Sequence, residues 1–283
     1  MKCAVYKLFL LTPLVDHILG LQPTASPTVN EFNPVLLGKI SFPHPSFLSF
    51  ASVFSKRDLV ITQFSSNGPE AVSIVTNIES YFNSTLAIPN LDIKTLGNDY
   101  TWPNDAGPIP KAVFTQEEQN ILCSENTTDC SLIAVPDGFL VPGHKTGGVY
   151  ILPGSTQKLS AKIPITKSET NWFYHQIHWV DLDKDGRADV VAARTNMDAA
   201  GRTEGELVWL RHPESVSVTT PWEMKVLSKG PDVITLPIVG NDGLLYIFAA
   251  EFFSERLSVT KLNLDVVVDY TVLDDKTGPL EGR

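Results

Sequence analysis

The sequence predicts an all-β fold, a β-propeller of four-stranded blades, on three observations. Short β-rich runs recur between clusters of Gly, Asn, Asp and Pro. The runs group in fours, at a period of roughly 40–50 residues that matches one propeller blade. Helical periodicity is scarce, and 20 Pro and 18 Gly suit a chain with many turns. The other architecture this rhythm allows is a solenoid of hairpins. Radial stacking is the better solution physically, because a single four-stranded sheet cannot cover both of its faces.

In chain order, Lys2 and Lys7 precede an apolar run at 8–15, and small residues follow by 20–25. That pattern fits a secretory signal peptide over residues 1–25, with a buried N-terminal strand or helix as the alternative. Residues 28–283 are then the propeller domain. The first blade reads "FLSFASVF", "DLVITQF", "AVSIVTNI" and "LDIKTL". A Pro-rich insertion follows, "GNDYTWPNDAGPIPKAVFTQEEQN" (97–120), and leads into "CSENTTDC" (123–130). The second blade reads "SLIAV", "FLVPGHKTG", "GGVYILPG" and "KLSAKIPI", with "PDG" joining its first two strands. The third is the clearest: "QIHWV" (176–180), an acidic loop, "DVVAAR" (189–194), "GELVWLRHP" (205–213) and "WEMKVLS" (222–228). The fourth runs "VITLPIV", "GNDG", "LLYIFAAEFF", "RLSVTKLNL" and "VVVDYTVL". Four units make a small ring, and the polar tail "DDKTGPLEGR" offers no strand to complete an earlier blade. The expectation is an incomplete ring of about four to five blades, truncated at its C-terminus or supplemented by a degenerate blade at 28–45.

A chain of 283 residues that is 43% hydrophobic can bury a sizeable core. Its net charge of −10 disfavours nucleic acid or an anionic membrane as partner and suits divalent cations. No apolar run after the N-terminus approaches the ~20 residues needed to span a bilayer. Cys3 would leave with the signal, which pairs Cys123 with Cys130 across a polar loop in an oxidising compartment. Asn83 and Asn126 each open a glycosylation sequon. Together these features imply a secreted, extracellular glycoprotein.

The acidic loop "DLDKDGRAD" carries the sharpest chemical signal. With Asp181 as position one, Asp183 is three, Asp185 five, Gly186 six, the Arg187 carbonyl seven and Asp189 nine. Alternate carboxylates in a tight turn converge, and hard oxygens at one point suit Ca²⁺. An EF-hand needs Glu at position twelve, where Ala192 stands, and strands flank this loop rather than helices. The bland alternative is a solvated acidic turn.

"DLDKDGRADVVAAR" followed by "GELVWL" resembles the FG-GAP/VCBS repeat of integrin α-like propellers and many secreted proteins. In that family the D-x-D-x-D-G-x-x-D loop joins the first two strands of a blade and holds calcium. The resemblance implies Ca²⁺ bound by Asp181, Asp183, Asp185, the Arg187 carbonyl and Asp189. It covers one blade strongly and perhaps 220 residues loosely. The FG-GAP dipeptides are absent, and "GNDG" and "PDG" are eroded loops with too few carboxylates.

Other candidates surround this blade. In "NWFYHQIHWVD", strand alternation places Trp172, Tyr174, Gln176 and His178 on one face, with His175 and Trp179 on the other. An aromatic and His strand suits a sugar site, and core packing is the plainer reading. His144 sits in an inter-strand loop. Arg194, Asn196, Arg202 and Glu204 populate the loop after the second strand of the blade and are candidate ligand contacts at one face. Ligand-binding candidates are therefore His175, His178, Arg194 and Asn196. No nucleophile elbow, P-loop, dinucleotide fingerprint or zinc spacing is present. The expected function is a secreted, calcium-binding module that recognises an extracellular protein or glycan. The alternatives are a sugar lyase or dehydratase with its site in the propeller channel, which the resemblance also allows, and a matrix component.

Overall fold

Apolar side chains alternate along the strands so that single strands feed two different cores. In the segment Leu132–Val135, Leu132 and Ala134 join one buried cluster, and Ile133 and Val135 join another. A strand with both faces buried belongs between two sheets. The computed structural model describes residues 42–65, 70–81, 91–123, 130–138, 146–154, 162–167, 169–197, 201 and 203–275. These residues lie in one compact unit, Lys39–Arg283. The signal segment, residues 28–41 of the proposed degenerate blade, both sequons, His144 and Arg202 lie outside the described residues.

The protein is all-β, a propeller-like arrangement of four antiparallel blades. The first sheet is β1 (Pro45–Ala51), β2 (Asp58–Gln63), β3 (Glu70–Val75) and β4 (Ile93–Tyr100), in that order. The second contains β5 (Gly107–Pro108), β6 (Ser131–Asp137), β7 (Thr146–Gly154) and β8 (Ile163–Pro164), and β9 (Glu169–Thr170) also pairs with β7. The third is β10 (Trp172–Val180), β11 (Asp189–Met197), β12 (Thr203–Arg211) and β13 (Glu223–Lys229). The fourth is β14 (Ile234–Val239), β15 (Leu245–Glu251), β16 (Arg256–Asn263) and β17 (Val266–Asp274). One α-helix is present among the described residues, α1 (Gln116–Cys123), which precedes β6. None of the described helices is long and apolar enough to cross a membrane.

The second blade corrects the sequence reading by one strand. "SLIAV" opens its second strand, not its first, and "PDG" closes that strand, with Pro136 and Asp137 still paired to β7 and Gly138 just past its end. The first strand is β5, inside the stretch read as an insertion. Two residues with a proline carry no strand signal, because proline cannot donate to a ladder. The stretch "FLVPGHK" (139–145), read as a strand, lies outside the described residues.

Sheets stack in chain order. Val60, Val72 and Ile74 of the first sheet meet Ile133, Val135 and Leu152 of the second. Leu132, Val149 and Ile151 of the second meet Val190, Ala192, Val208 and Leu210 of the third. Val191, Leu207 and Trp209 of the third meet Leu245, Ile247 and Leu262 of the fourth. Each fully buried aliphatic side chain contributes about 1.5–3 kcal/mol, so these seams dominate stability. First strands also touch. Ser49 Oγ donates to the Ala106 carbonyl, Phe47 packs edge-on against His175 at 5.3 Å, and His178 bonds Thr235. Among the described residues no buried cluster joins the fourth sheet back to the first. The outer face of the fourth sheet is exposed, with Ile234 at 50% and Leu236 at 39% accessibility.

Candidate metal centre

The acidic loop is the turn of the β10–β11 hairpin. Val180 pairs with Asp189, so residues 181–188 must reverse the chain. Two left-handed residues make the reversal, Lys184 at φ 59° and Gly186 at φ 91°. Nothing crowds Gly186, so glycine is favoured there by backbone conformation alone. Local hydrogen bonds set the turn. Gly186 N–H donates to Asp181 Oδ2 at 3.1 Å, Asp185 N–H to Asp183 Oδ1 at 3.3 Å, and Arg187 N–H to Asp185 Oδ1 at 2.9 Å.

Asp181, Asp183 and Asp189 each turn a carboxylate oxygen to within 4.8 Å of the others. Asp185 is not one of the three. Asp181 is exposed, Asp183 half-buried and Asp189 buried. Three carboxylates this close repel one another, and solvent at the exposed Asp181 screens part of that repulsion. The Arg211 Nε, 2.9 Å from Asp183 Oδ2, relieves part of that. The guanidinium is half exposed, so solvent weakens the relief. Hard oxygen donors with residual negative charge fit a hard divalent cation. Burial pushes the Asp189 carboxyl up, against the pull of its main-chain N–H donors.

Asp189 also has a structural task. Its Oδ2 accepts Leu182 N–H at 3.1 Å and its Oδ1 accepts His212 N–H at 2.8 Å. It thus ties the hairpin turn to the segment after β12. Asp58 does the same work in the first blade. Its Oδ2 accepts the N–H groups of Val53, Phe54 and Ser55, and its Oδ1 accepts Asn77 N–H at 2.8 Å. Both residues open the second strand of a blade and both are fully buried.

Support from outside the blade escaped the sequence reading. Glu118 of α1 ion-pairs with Arg187, so the Arg187 side chain anchors the loop to the helix. His212 lies beside them, its Nε2 3.8 Å from Glu118 and its Nδ1 3.1 Å from the Ala188 carbonyl oxygen. Its ring stacks on Trp222 at 4.8 Å. Burial, then the Arg187 charge, lowers its pKa.

The remaining candidates do not gather. A register shift between Tyr174 and Ile177 breaks the alternation of β10. Trp172 and Tyr174 stay on the side of Arg194, whereas Gln176 and His178 reach Thr235 of the fourth sheet. The expected common face is therefore split, because one extra residue inverts every later side chain. His178 Nε2 lies 2.8 Å from the Thr235 carbonyl oxygen and 3.1 Å from its hydroxyl. Burial pushes His175 down to about 4, so it is neutral. Arg194 is buried at 5% accessibility. It holds Glu206 through Nε at 3.0 Å and Nη2 at 2.7 Å, pairs with Glu169, and stacks on Trp172 at 3.8 Å. Asn196 sits half-buried on β11 opposite Trp172, and Glu204 pairs with Lys229. Cys123 and Cys130 form a disulfide. A scan of protein-family models finds no match to this chain, and a search of curated proteins finds none.

Proposed function

We propose that this chain is a secreted, calcium-binding propeller module of the FG-GAP/VCBS type that recognises an extracellular protein or glycan. The observation that carries the reading is the convergence of Asp181, Asp183 and Asp189 at the first hairpin of one blade. The disulfide across 123–130 supports export. Binding is favoured over catalysis because Gln176 and His178 lie across the sheet from Trp172 and Tyr174, with His178 committed to Thr235. Calcium here is a staple. It would be held by Asp181, Asp183 and Asp189 and would offset their mutual repulsion.

Thermal melting of the purified protein with calcium or chelator tests this. A ligand that binds only the folded state stabilises by about 2.7 kcal/mol at a hundredfold excess over its dissociation constant. The expected result is a melting temperature several degrees higher in calcium, with a smaller rise in magnesium, which resists dehydration. Asp183→Ala removes the calcium response. Asp189 is the wrong residue to change, since its oxygens also hold Leu182 and His212. A wild-type melting temperature indifferent to calcium contradicts the proposal.

A further inference from the structure

A cavity of about 1070 Å³ lies between the β1–β2 turn and the segment joining β5 to α1. Its walls are held by internal hydrogen bonds. The N–H groups of Val53, Phe54 and Ser55 all point back to Asp58 Oδ2, at 3.0, 2.7 and 3.0 Å. On the far wall, Ile109 N–H donates to the Leu132 carbonyl at 2.9 Å, and Gln119 Nε2 donates to the Phe114 carbonyl at 2.9 Å. Ser131 Oγ donates to the Ser52 carbonyl at 2.7 Å and links the two sides. A preformed site saves the cost of ordering on binding.

Charge on this surface runs against the chain. The protein carries 32 acidic and 22 basic residues, yet among the described residues the cavity is lined by Lys56, Arg57 and Lys111 and by no Asp or Glu. Arg57 is engaged by Glu79 at 2.6 Å. Lys56 and Lys111 are exposed and make no ion pair with a described residue. Phe50, 57% exposed, adds an apolar ring at the rim.

We infer that this cavity binds an anionic oligosaccharide, one bearing uronate carboxylates or sulfates. The Lys56 and Lys111 ammonium groups, without an ion-pair partner among the described residues, supply the charge for the acidic substituents. The Phe50 ring offers a flat apolar surface to the C–H face of a sugar. The volume lies just above the ~300–1,000 Å³ typical of small-ligand pockets, which suits several linked sugars. A peptide fits less well. Recognition of an extended peptide draws on a row of free main-chain donors, and those of the Val53–Ser55 turn and of Ile109 are already spent. The ligand class rests on the binding-module reading above. No residue of the acidic loop is in the described lining of the cavity, and Asp183 takes no part in the Glu118–Arg187 pair that ties the loop to α1, so the two sites can be tested apart.

Calorimetric titration of the full chain tests the inference. The probes are a galacturonate hexamer, a sulfated heparin hexamer, a neutral cellohexaose and a poly-glutamate peptide. Saturable binding is expected for at least one acidic hexamer and not for cellohexaose or the peptide. The double variant Lys56→Glu with Lys111→Glu, both exposed, is expected to keep the wild-type melting temperature and lose roughly tenfold or more in affinity. Phe50→Ala weakens binding without changing its salt dependence. Asp183→Ala retains binding, so loss of the calcium response and loss of the glycan site are read separately. The inference is overturned if neither acidic hexamer binds, if the charge-reversed variant binds as well as wild type, or if the peptide competes equally.

Discussion

Two buried aspartates show how one residue type answers to different demands. Asp189 shares its carboxylate between main-chain donors and the acidic cluster, and Asp58 spends its own on four main-chain N–H groups and the Ser55 hydroxyl. Asp137 is a third case, 2% exposed at the end of β6. It accepts N–H bonds from Gly148 at 2.9 Å and Thr101 at 3.3 Å. Burial nonetheless pushes its pKa up to about 7, with Lys162 pulling the other way. Unfolded, it ionises near pH ~3.9. The folded state therefore holds this proton more tightly. The resulting stability is full below about pH 4 and is lost as pH rises to about 7. His175 runs in the opposite sense. Its pKa is lowered to about 4 by burial, so its contribution is full above ~6.5 and lost as pH falls. The two slopes overlap, and a single pH profile would mix them. Asp137→Asn separates them, because asparagine still accepts from Gly148 and does not titrate. The melting temperature of the variant minus that of wild type is expected to become more positive from pH 5 to pH 8. A difference that stays flat across that range would show that Asp137 does not titrate there.

At the scale of elements, α1 is the piece that joins the candidate metal site to the second blade. A reciprocal capping box starts it: Glu118 N–H donates to Thr115 Oγ1 at 3.2 Å, and Thr115 N–H donates to Glu118 Oε2 at 2.8 Å. The Cys123–Cys130 disulfide pins its other end. Between them, Glu118 holds Arg187 and so braces the acidic loop. Closing so short a loop is worth roughly 2–3 kcal/mol by chain entropy. At about 2–4 °C per kcal/mol, the Cys123→Ser, Cys130→Ser variant is expected to melt ~5–10 °C lower. An unchanged melting temperature would mean that the bridge closes nothing the fold does not already hold. The bridge itself was legible from cysteine arithmetic, as were the four-stranded groups, because β-rich runs and turn residues are local signals. The contiguous loop 181–189 was legible for the same reason. What stayed hidden is non-local. Glu118 stands 69 positions from Arg187, so no window contains both. The β10 bulge leaves no mark in "NWFYHQIHW", and it splits the face that strict alternation had assembled. Arg194 looked like a loop contact until Glu206, Glu169 and Trp172 enclosed it. β5 is too short to betray a strand, and that displaced the second blade by one.

For the molecule as a whole, the stack order sets a gradient of stability. The second sheet is covered by the first on one face and the third on the other. The third is likewise enclosed, by the second and the fourth. Among the described residues the fourth sheet has a single covered face. Opening it costs one seam, built on Leu245, Ile247 and Leu262, whereas opening the third costs two. Stacked sheets with nearest-neighbour interfaces unfold in parts, the least covered part first. Native-state hydrogen exchange, read by mass spectrometry, is the direct measurement. Peptides from β15 and β16 are expected to exchange faster than those from β11 and β12, although both pairs are hydrogen-bonded on both sides within their sheets. Ile247→Ala sharpens the test. Truncating a fully buried aliphatic side chain costs about 2–5 kcal/mol. If the fourth sheet opens on its own, that cost accelerates exchange in residues 234–274 and leaves β6, β7 and β11 near their wild-type rates. If instead the four sheets unfold as one cooperative body, the variant accelerates exchange everywhere by the same factor, and the gradient does not exist.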